Sequence, residues 1–464
     1  MPPSVPPGEQ LIVRGAWVLT MGPGGALEDG AVHIQDGAIT SVGPYRELRR
    51  RHPEATVVGD EHSIVIPGLI NAHTHLSEAL IPGMGSELTL YEWGERLVTP
   101  VSRNLTAEMA REGTILKAAE MIRSGITFVN DMFVHSNPGT RASLGVVEGL
   151  AEVGLRGAVS FGAEDALGDT SSAPPMTVEE VLEEHHDLAD AALESGLLGF
   201  RYGIGTLLGQ SDELLEAGAA ACHENGWGVH THLSEVREEV VHASLRWGRR
   251  PVSQAGHLGF LDVPLLAAHA IWVTQEDIDI LAGARAGIAH NPVANMILGS
   301  GVCPLARLRA AGLEVGIGTD GAASNDSQNM LEAVKMAALL QKVHELDPVV
   351  ISAETVLEMA TIGGARVLGV DSRVGSLEAG KRADLVLLRG TVELAAVHDP
   401  YQQVVYCAGP GSVSDVWVDG RRLLAERSLT TVDEPAQIAR GRALARAVAR
   451  KAGLSGVHSF LRGS

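Results

Sequence analysis

Residues 64–76 read IVIPGLINAHTHL. A β-branched run passes through Pro67 and Gly68 into a second apolar run that ends on two histidines two positions apart. Alternate side chains of a strand share a face, so His73 and His75 point together into whatever that face encloses. Two imidazoles side by side suit a metal ion, but two ligands are not a site. The rest must come from elsewhere in the chain.

Seven more runs have a strand's texture: GITFVNDMF (125–133), LRGAVSFGA (155–163), LLGFRYGIG (197–205), GWGVHTHL (226–233), LLAAHAIWV (265–273), AGIAHNP (286–292) and LEVGIGTDG (313–321). Helical periods separate them, as in TAEMAREGTILKAAEMIRSG (106–125) and SDELLEAGAAACHENG (211–226), each ending at a glycine as helix C-termini often do. Eight β-then-α units in series predict an α/β fold, a closed (β/α)8 barrel of the TIM type rather than an open sheet. His73, His75, His232, His269 and Asp320 all fall at or near C-terminal strand ends, which converge on one face of such a barrel.

The two ends of the chain read differently. LIVRGAWVLT (11–20), GAVHIQDGAITSVG (30–43) and ATVVGD (55–60) are short strands broken by turn residues, and GKRADLVLLRG (380–390) and VSDVWVDGRRLLAER (413–427) repeat that texture. We expect residues 1–66 and 376–464 to build one small β-sandwich domain, with a terminal helix, around a barrel of residues 67–375. Arg442, Arg446 and Arg450 recur at four-residue spacing near the end and read as a solvated helix face.

Composition narrows the partners. A formal charge of −21 over 464 residues argues against nucleic acid, whose phosphates require clustered Lys and Arg. Cys222, Cys303 and Cys407 are widely spaced and odd in number, so neither a disulfide framework nor a cysteine zinc site is expected. The opening MPPSVPPGEQ lacks a signal peptide's basic start and apolar core, and no apolar stretch is long enough to span a bilayer. The expectation is a soluble cytoplasmic protein.

Neutral imidazoles plus a carboxylate suit one divalent ion, zinc or Fe(II), with a coordination position left for water. Such an ion brings the pKa of water towards neutrality and opens hydrolysis. Glu235 lies three residues beyond His232, past the strand end, where a carboxylate can reach a bound substrate. Asp320 would take a proton from the water that His269 orients.

The stretches PGLINAHTHL, HTHLSE, LLAAHAIWV, IAHNPVANMILGSG, GTDGAASND and VGSLEAGKRADLVLL resemble the amidohydrolase superfamily, in the branch that holds triazine chlorohydrolases and aminohydrolases with nucleoside and cytosine deaminases. The resemblance covers nearly the whole chain. It implies His73, His75, His232 and Asp320 as ligands of a single metal and Glu235, His269 and Asp320 as the catalytic groups. It favours His232 over His230, because Glu235 then has the family's offset, and leaves His230 a layer down in the barrel. No lysine ends the fourth strand, so a second metal on a carboxylated lysine is not expected. Trp93 either matches an aromatic that lines the pocket in similar deaminases or simply packs in the core, and Asn291 and Asn295 are candidates for substrate binding or for turn building.

The resemblance also implies a reaction: hydrolytic deamination of an amino-substituted purine, pyrimidine, pterin or triazine ring, with a small heterocycle as the partner and a homo-oligomer as a common assembly. Release of chloride from a triazine or opening of a cyclic amide is the alternative, and a non-catalytic barrel the least expected reading. Relatives acting on adenosine-type substrates carry a ribose-binding Glu where this chain has Ser102 and a Pro-His pair where it has Ile204 and Gly205. A free ring is therefore expected ahead of a nucleoside.

Overall fold

Alternating runs at the ends and continuous apolar runs between them call for two kinds of sheet, and the computed structural model, which describes residues 10–85, 87–165 and 176–454, contains both. The opening residues 1–9, read above for a leader, lie outside the described residues. The N-terminal segment supplies β1 (Gln10–Leu19), β2 (Ala26–Gln35), β3 (Ala38–Pro44), β4 (Thr56–Gly59) and β5 (Ile64–Pro67). Then follow β6 (Leu69–Thr74), β7 (Ile126–Phe133), β8 (Arg156–Phe161), β9 (Leu198–Phe200), β10 (Tyr202–Thr206), β11 (Val229–Leu233), β12 (Leu265–His269), β13 (Gly287–His290) and β14 (Val315–Ile317). The last strands are β15 (Leu385–Leu388), β16 (Val413–Val418), β17 (Arg421–Ala425) and β18 (Ser428–Leu429).

Strands from both ends form one nine-stranded ladder in the order β18-β17-β16-β15-β5-β1-β2-β3, with β4 on β1. The two chain ends expected to share one small β domain do share this sheet, and β5 joins the halves: it runs antiparallel to β15 and parallel to β1. The chain leaves the sheet at Gly68, where a Cβ would meet Thr127 Oγ1 at 1.9 Å, so only glycine lets β7 approach.

The eight inner runs are all strands, and they pair in parallel as β6-β7-β8-β9 and β10-β11-β12-β13-β14. A closed eight-stranded ladder was expected; among the described residues the ladder is two parallel sheets. The fourth run is divided at Arg201, whose backbone N–H donates to Val159 O on one side while Tyr202 N–H donates to Gly228 O on the other. At the other seam no ladder forms between β14 and β6. Asp320 N–H donates to His73 O at 2.9 Å, and Asn71 exchanges two hydrogen bonds with Thr319. Strands of both sheets nevertheless share one apolar cluster, Ile70, Ala72, Phe128, Ala158, Leu266, Ala268 and Ala289, capped by the helix Ile362–Val367.

Capping chemistry sets the helices between the strands. Thr106 accepts from Met109 N–H to open Ala107–Arg123, and Ser211 accepts from Leu214 N–H to open Asp212–Asn225, which Gly226 ends at φ 66°. The terminal helix Glu434–Lys451 leaves Arg442, Arg446 and Arg450 exposed. Cys222 and Cys303 are buried and free, and Cys407 is exposed. Among the described residues no helix is long and apolar enough to cross a membrane.

A buried ion network ties the two kinds of sheet together. Arg156, at the start of β8, donates from Nε to Asp384 at 2.9 Å and from Nη2 to Asp419 at 2.7 Å, and Asp419 N–H donates to Asp384. Arg156 and Asp384 are only 4% and 1% exposed, so removing either partner strands a charge in the interior. Arg156→Met is expected to cost about 3–5 kcal/mol in denaturant unfolding. Arg382→Ala, which removes a more exposed partner of Asp419, is expected to cost about 1 kcal/mol or less.

Candidate active site

The parallel strands end on one face, and the predicted polar residues gather there. His73 lies in β6 and His75 one residue beyond it; His232 lies in β11, His269 closes β12, and Asp320 follows β14 by three residues. Ligand atoms of His73, His232, His269 and Asp320 all lie within 4.8 Å of one another. His75 Nε2 is 3.0 Å from His232 Nε2 and 3.3 Å from Asp320 Oδ1, so it joins the same group.

Three strand ends are bent to bring this about. Ser234, His269 and Asp320 have φ of 54°, 72° and 63°, a left-handed conformation that a non-glycine residue adopts at a cost. The bends are held by hydrogen bonds from Ala270 N–H to Leu233 O and from Ile271 and Trp272 N–H to Ser234 O.

Each imidazole is oriented from behind. His75 Nδ1 donates to Met132 O at 2.7 Å and His232 Nδ1 to Gly205 O, which leaves both Nε2 atoms facing inward. His73 Nδ1 meets His230 Nε2 at 2.8 Å, His230 Nδ1 meets Ser160 Oγ at 3.1 Å, and Ser160 donates to Asp131 O. That chain is satisfied when protons run outward along it, which leaves the His73 Nε2 lone pair inward. His230 therefore stands behind His73, and its role as an orienting residue has no counterpart in the H-x-H spacing.

Electrostatics complete the donor set. Burial opposes ionisation of Asp320, but the imidazoles around it outweigh burial and hold the carboxyl well below its usual range. Burial lowers His73 to about 4 and keeps His230 and His232 neutral. Burial also works against charge on His75, yet its contact with Asp320 and the charge of Glu78 raise it to about 10. His73 Nε2 is buried without a hydrogen-bond partner, 3.3 Å from Asp320 Oδ1. His73 and His232 are neutral imidazoles with inward lone pairs beside an ionised carboxylate, a donor set that fits a divalent cation; His75 joins it once the proton that Asp320 and Glu78 favour is displaced by the cation's charge.

Glu235 and His269 lie beside this group. His269 Nε2 is 3.6 Å from Glu235 Oε2 and 3.8 Å from Asp320 Oδ2. Burial raises the Glu235 pKa against the nearby His269 charge, and Ser300 Oγ donates to its Oε1 at 3.1 Å. Glu239, unread in the sequence, accepts the backbone N–H groups of Ser234 and Glu235 at 2.9 and 2.7 Å and so fixes the Glu235 backbone. Its position four residues on, at a helix start, is the only sequence signal it gave.

These groups open on a cavity of about 1040 Å³ lined by His75, Trp93, Glu164, Glu235, His269 and Asp320 among others. Trp93 is on this wall and donates from Nε1 to Ala323 O at 2.9 Å, fixing the loop after Asp320. Asn291 and Asn295 are not on the wall. Asn295 Oδ1 lies 2.7 Å from His269 Nδ1, behind the ring, and Asn291 Nδ2 lies over the ring at 3.5 and 3.4 Å from Nδ1 and Nε2.

The sequence pattern of the family described as "Amidohydrolase family" matches residues 64–423. The chain belongs to the amidohydrolase family. A shorter match, to an imidazolonepropionase-like composite domain of bacteria, covers residues 30–55. Within the family, the chain is 37% identical over 428 residues to a 5-methylthioadenosine/S-adenosylhomocysteine deaminase of Desulforudis audaxviator, covering 92% of this chain and 96% of that protein. It is 36% identical over 432 residues to a 5'-deoxyadenosine deaminase of Methanothermobacter thermautotrophicus, with the same coverage. The crystal structure of an adenosine deaminase from Xanthomonas campestris with bound zinc superposes with a TM-score of 0.89 at 30% identity, covering 96% of this chain and all of that one. This amidohydrolase is thus a metal-dependent hydrolase, and its relatives are named as deaminases.

Losing the partner behind His73 should loosen the metal without touching a ligand. His230→Ala is expected to lower metal affinity about 10- to 100-fold in a chelator competition titration, with the far-ultraviolet spectrum unchanged.

Proposed function

We propose that the protein hydrolytically deaminates the adenine ring of a nucleoside altered at its 5′ carbon, releasing ammonia. One observation carries the chemistry: Glu235 and Asp320 flank His269 Nε2 at 3.6 and 3.8 Å on the wall of one cavity, a proton donor and a proton acceptor on either side of one imidazole. Both relatives above, sharing more than a third of their residues over nine-tenths of the chain, are named for adenosine derivatives. A cavity of about 1040 Å³ also exceeds the needs of a bare ring.

This reverses the preference for a free ring drawn from Ser102 and from Ile204 with Gly205. Ser102 is buried, and its hydroxyl is engaged with Thr99 O at 3.0 Å and Ser136 Oγ at 2.9 Å, off the cavity wall. Its identity therefore says nothing about a sugar.

His73, His75, His232 and Asp320 would hold the ion, zinc as in the Xanthomonas relative, with His269 beside it. A divalent cation there supplies hydroxide near neutral pH. Glu235, whose pKa burial raises, gives its proton to the ring nitrogen next to the amino-bearing carbon. Asp320 accepts one proton of the attacking water and delivers it to the departing amine, and the proton left on the new oxygen returns to Glu235 as the carbonyl forms. His269, fixed by Asn295, orients that water.

Ammonia release is expected from 5′-deoxyadenosine and 5′-methylthioadenosine above free adenine, cytosine, pterins and aminotriazines. Glu235→Gln is expected to lower kcat by ~10² to 10⁴ with substrate binding retained in equilibrium titration. Preferential turnover of a free ring, or chloride release from a chlorotriazine, would replace the nucleoside reading. Chelation should abolish activity and added zinc restore it.

A further inference from the structure

The adenosine-type reading requires a polar group for the sugar, and the cavity wall offers one. Glu164 follows β8, and its flanks are pinned on both sides. Ala163 O accepts from Gln210 Nε2 at 2.8 Å and Ala163 bridges Ile204, while Asp165 accepts the backbone N–H and hydroxyl of Ser211, both at 2.6 Å. With its neighbours turned towards the helix Asp212–Asn225, the Glu164 side chain goes to the cavity.

Two glycines make room for it. A Cβ at Gly205 would stand 3.0 Å from Glu164 Oε1 and one at Gly209 would stand 2.6 Å from it, so the carboxyl occupies the space that a side chain at either position would fill. Thr206 is held by accepting Gly209 N–H at 2.9 Å, and its hydroxyl is bonded to Glu164. Gly205 is also the residue whose carbonyl orients His232. The carboxyl is therefore one residue removed from the support of the metal group and partly open to the cavity; burial pushes its pKa up to about 7 against the pull of His75, so it is a carboxylate acceptor above neutral pH.

We infer that Glu164 is the sugar anchor of this enzyme, its carboxylate accepting hydrogen bonds from the vicinal hydroxyls of the substrate's ribose. The assignment rests on the nucleoside reading. A carboxylate pairs well with a ribose hydroxyl, and the absence of a side chain at Gly205 leaves Glu164 its room: a Cβ there would stand 3.0 Å from Oε1, so any larger residue would have to displace the carboxyl.

The test compares 5′-deoxyadenosine with the same nucleoside lacking its 2′- and 3′-hydroxyls, using wild type, Glu164→Gln and Gly205→Ala, with free adenine as a further substrate. Wild type is expected to lose about 30-fold in kcat/KM when the hydroxyls are removed. Glu164→Gln is expected to lose about 30-fold on the ribonucleoside, chiefly in KM, and less than 3-fold on the analogue. Gly205→Ala, which keeps the carbonyl for His232 but crowds the carboxyl, should raise KM on the ribonucleoside selectively. Equal losses on both substrates, or no loss on the ribonucleoside, overturn the assignment of Glu164 and leave the nucleoside deaminase reading standing. Wild-type turnover of free adenine without turnover of either nucleoside overturns that reading and the anchor with it.

Discussion

A carboxylate in the interior sets the terms for everything around it. Asp320 is 3% exposed, and an isolated carboxylate at such depth would protonate. It stays ionised because imidazoles from three other strands surround it, and those imidazoles must face it with the right nitrogen. That demand reaches backwards through the fold to Met132 O, Gly205 O, Asn295 and the His230–Ser160 pair, each fixing one ring. The left-handed turns at Ser234, His269 and Asp320 have the same origin, since a strand that simply continued would carry these groups past one another.

Much of this was legible in the sequence because burial and periodicity leave marks in composition. Each of the eight apolar runs is a strand, and Thr106, Ser211 and Gly226 terminate helices where their chemistry places them. His73, His75, His232, His269 and Asp320 share one feature that pattern reading detects, a polar residue at the C-terminal end of an apolar run. Pairing across distance is another matter. That β5 lies between β1 and β15 follows from which edges meet, and no run of residues encodes that directly. The division of the fourth strand at Arg201 is likewise a matter of which neighbour each amide finds.

The site's supporting groups were hidden for a related reason. A ligand and its orienter look alike in one dimension: His230 and His232 have the same residue type and the same face, yet one points at the carboxylate and the other at the back of His73. Asn295 reads as a loop former and acts on His269; Ser102 reads as a lost contact and is occupied with Ser136. Their roles depend on what stands opposite, and the partner of each is 20 or more residues away in the chain.

The position of β5 has a consequence for synthesis. It emerges from the ribosome with β1 already available, while its other neighbour, β15, begins only at Leu385. At ~5–20 residues per second the intervening chain takes on the order of tens of seconds to make, and throughout that time one side of an Ile-Val-Ile strand presents unpaired amides and carbonyls. An open apolar edge recruits any strand that meets it, including the same edge on a neighbouring nascent chain. Slow growth on closely spaced ribosomes is therefore the condition under which this fold is most exposed to misassembly, and the arrival of Leu385–Leu388 is the event that ends the exposure.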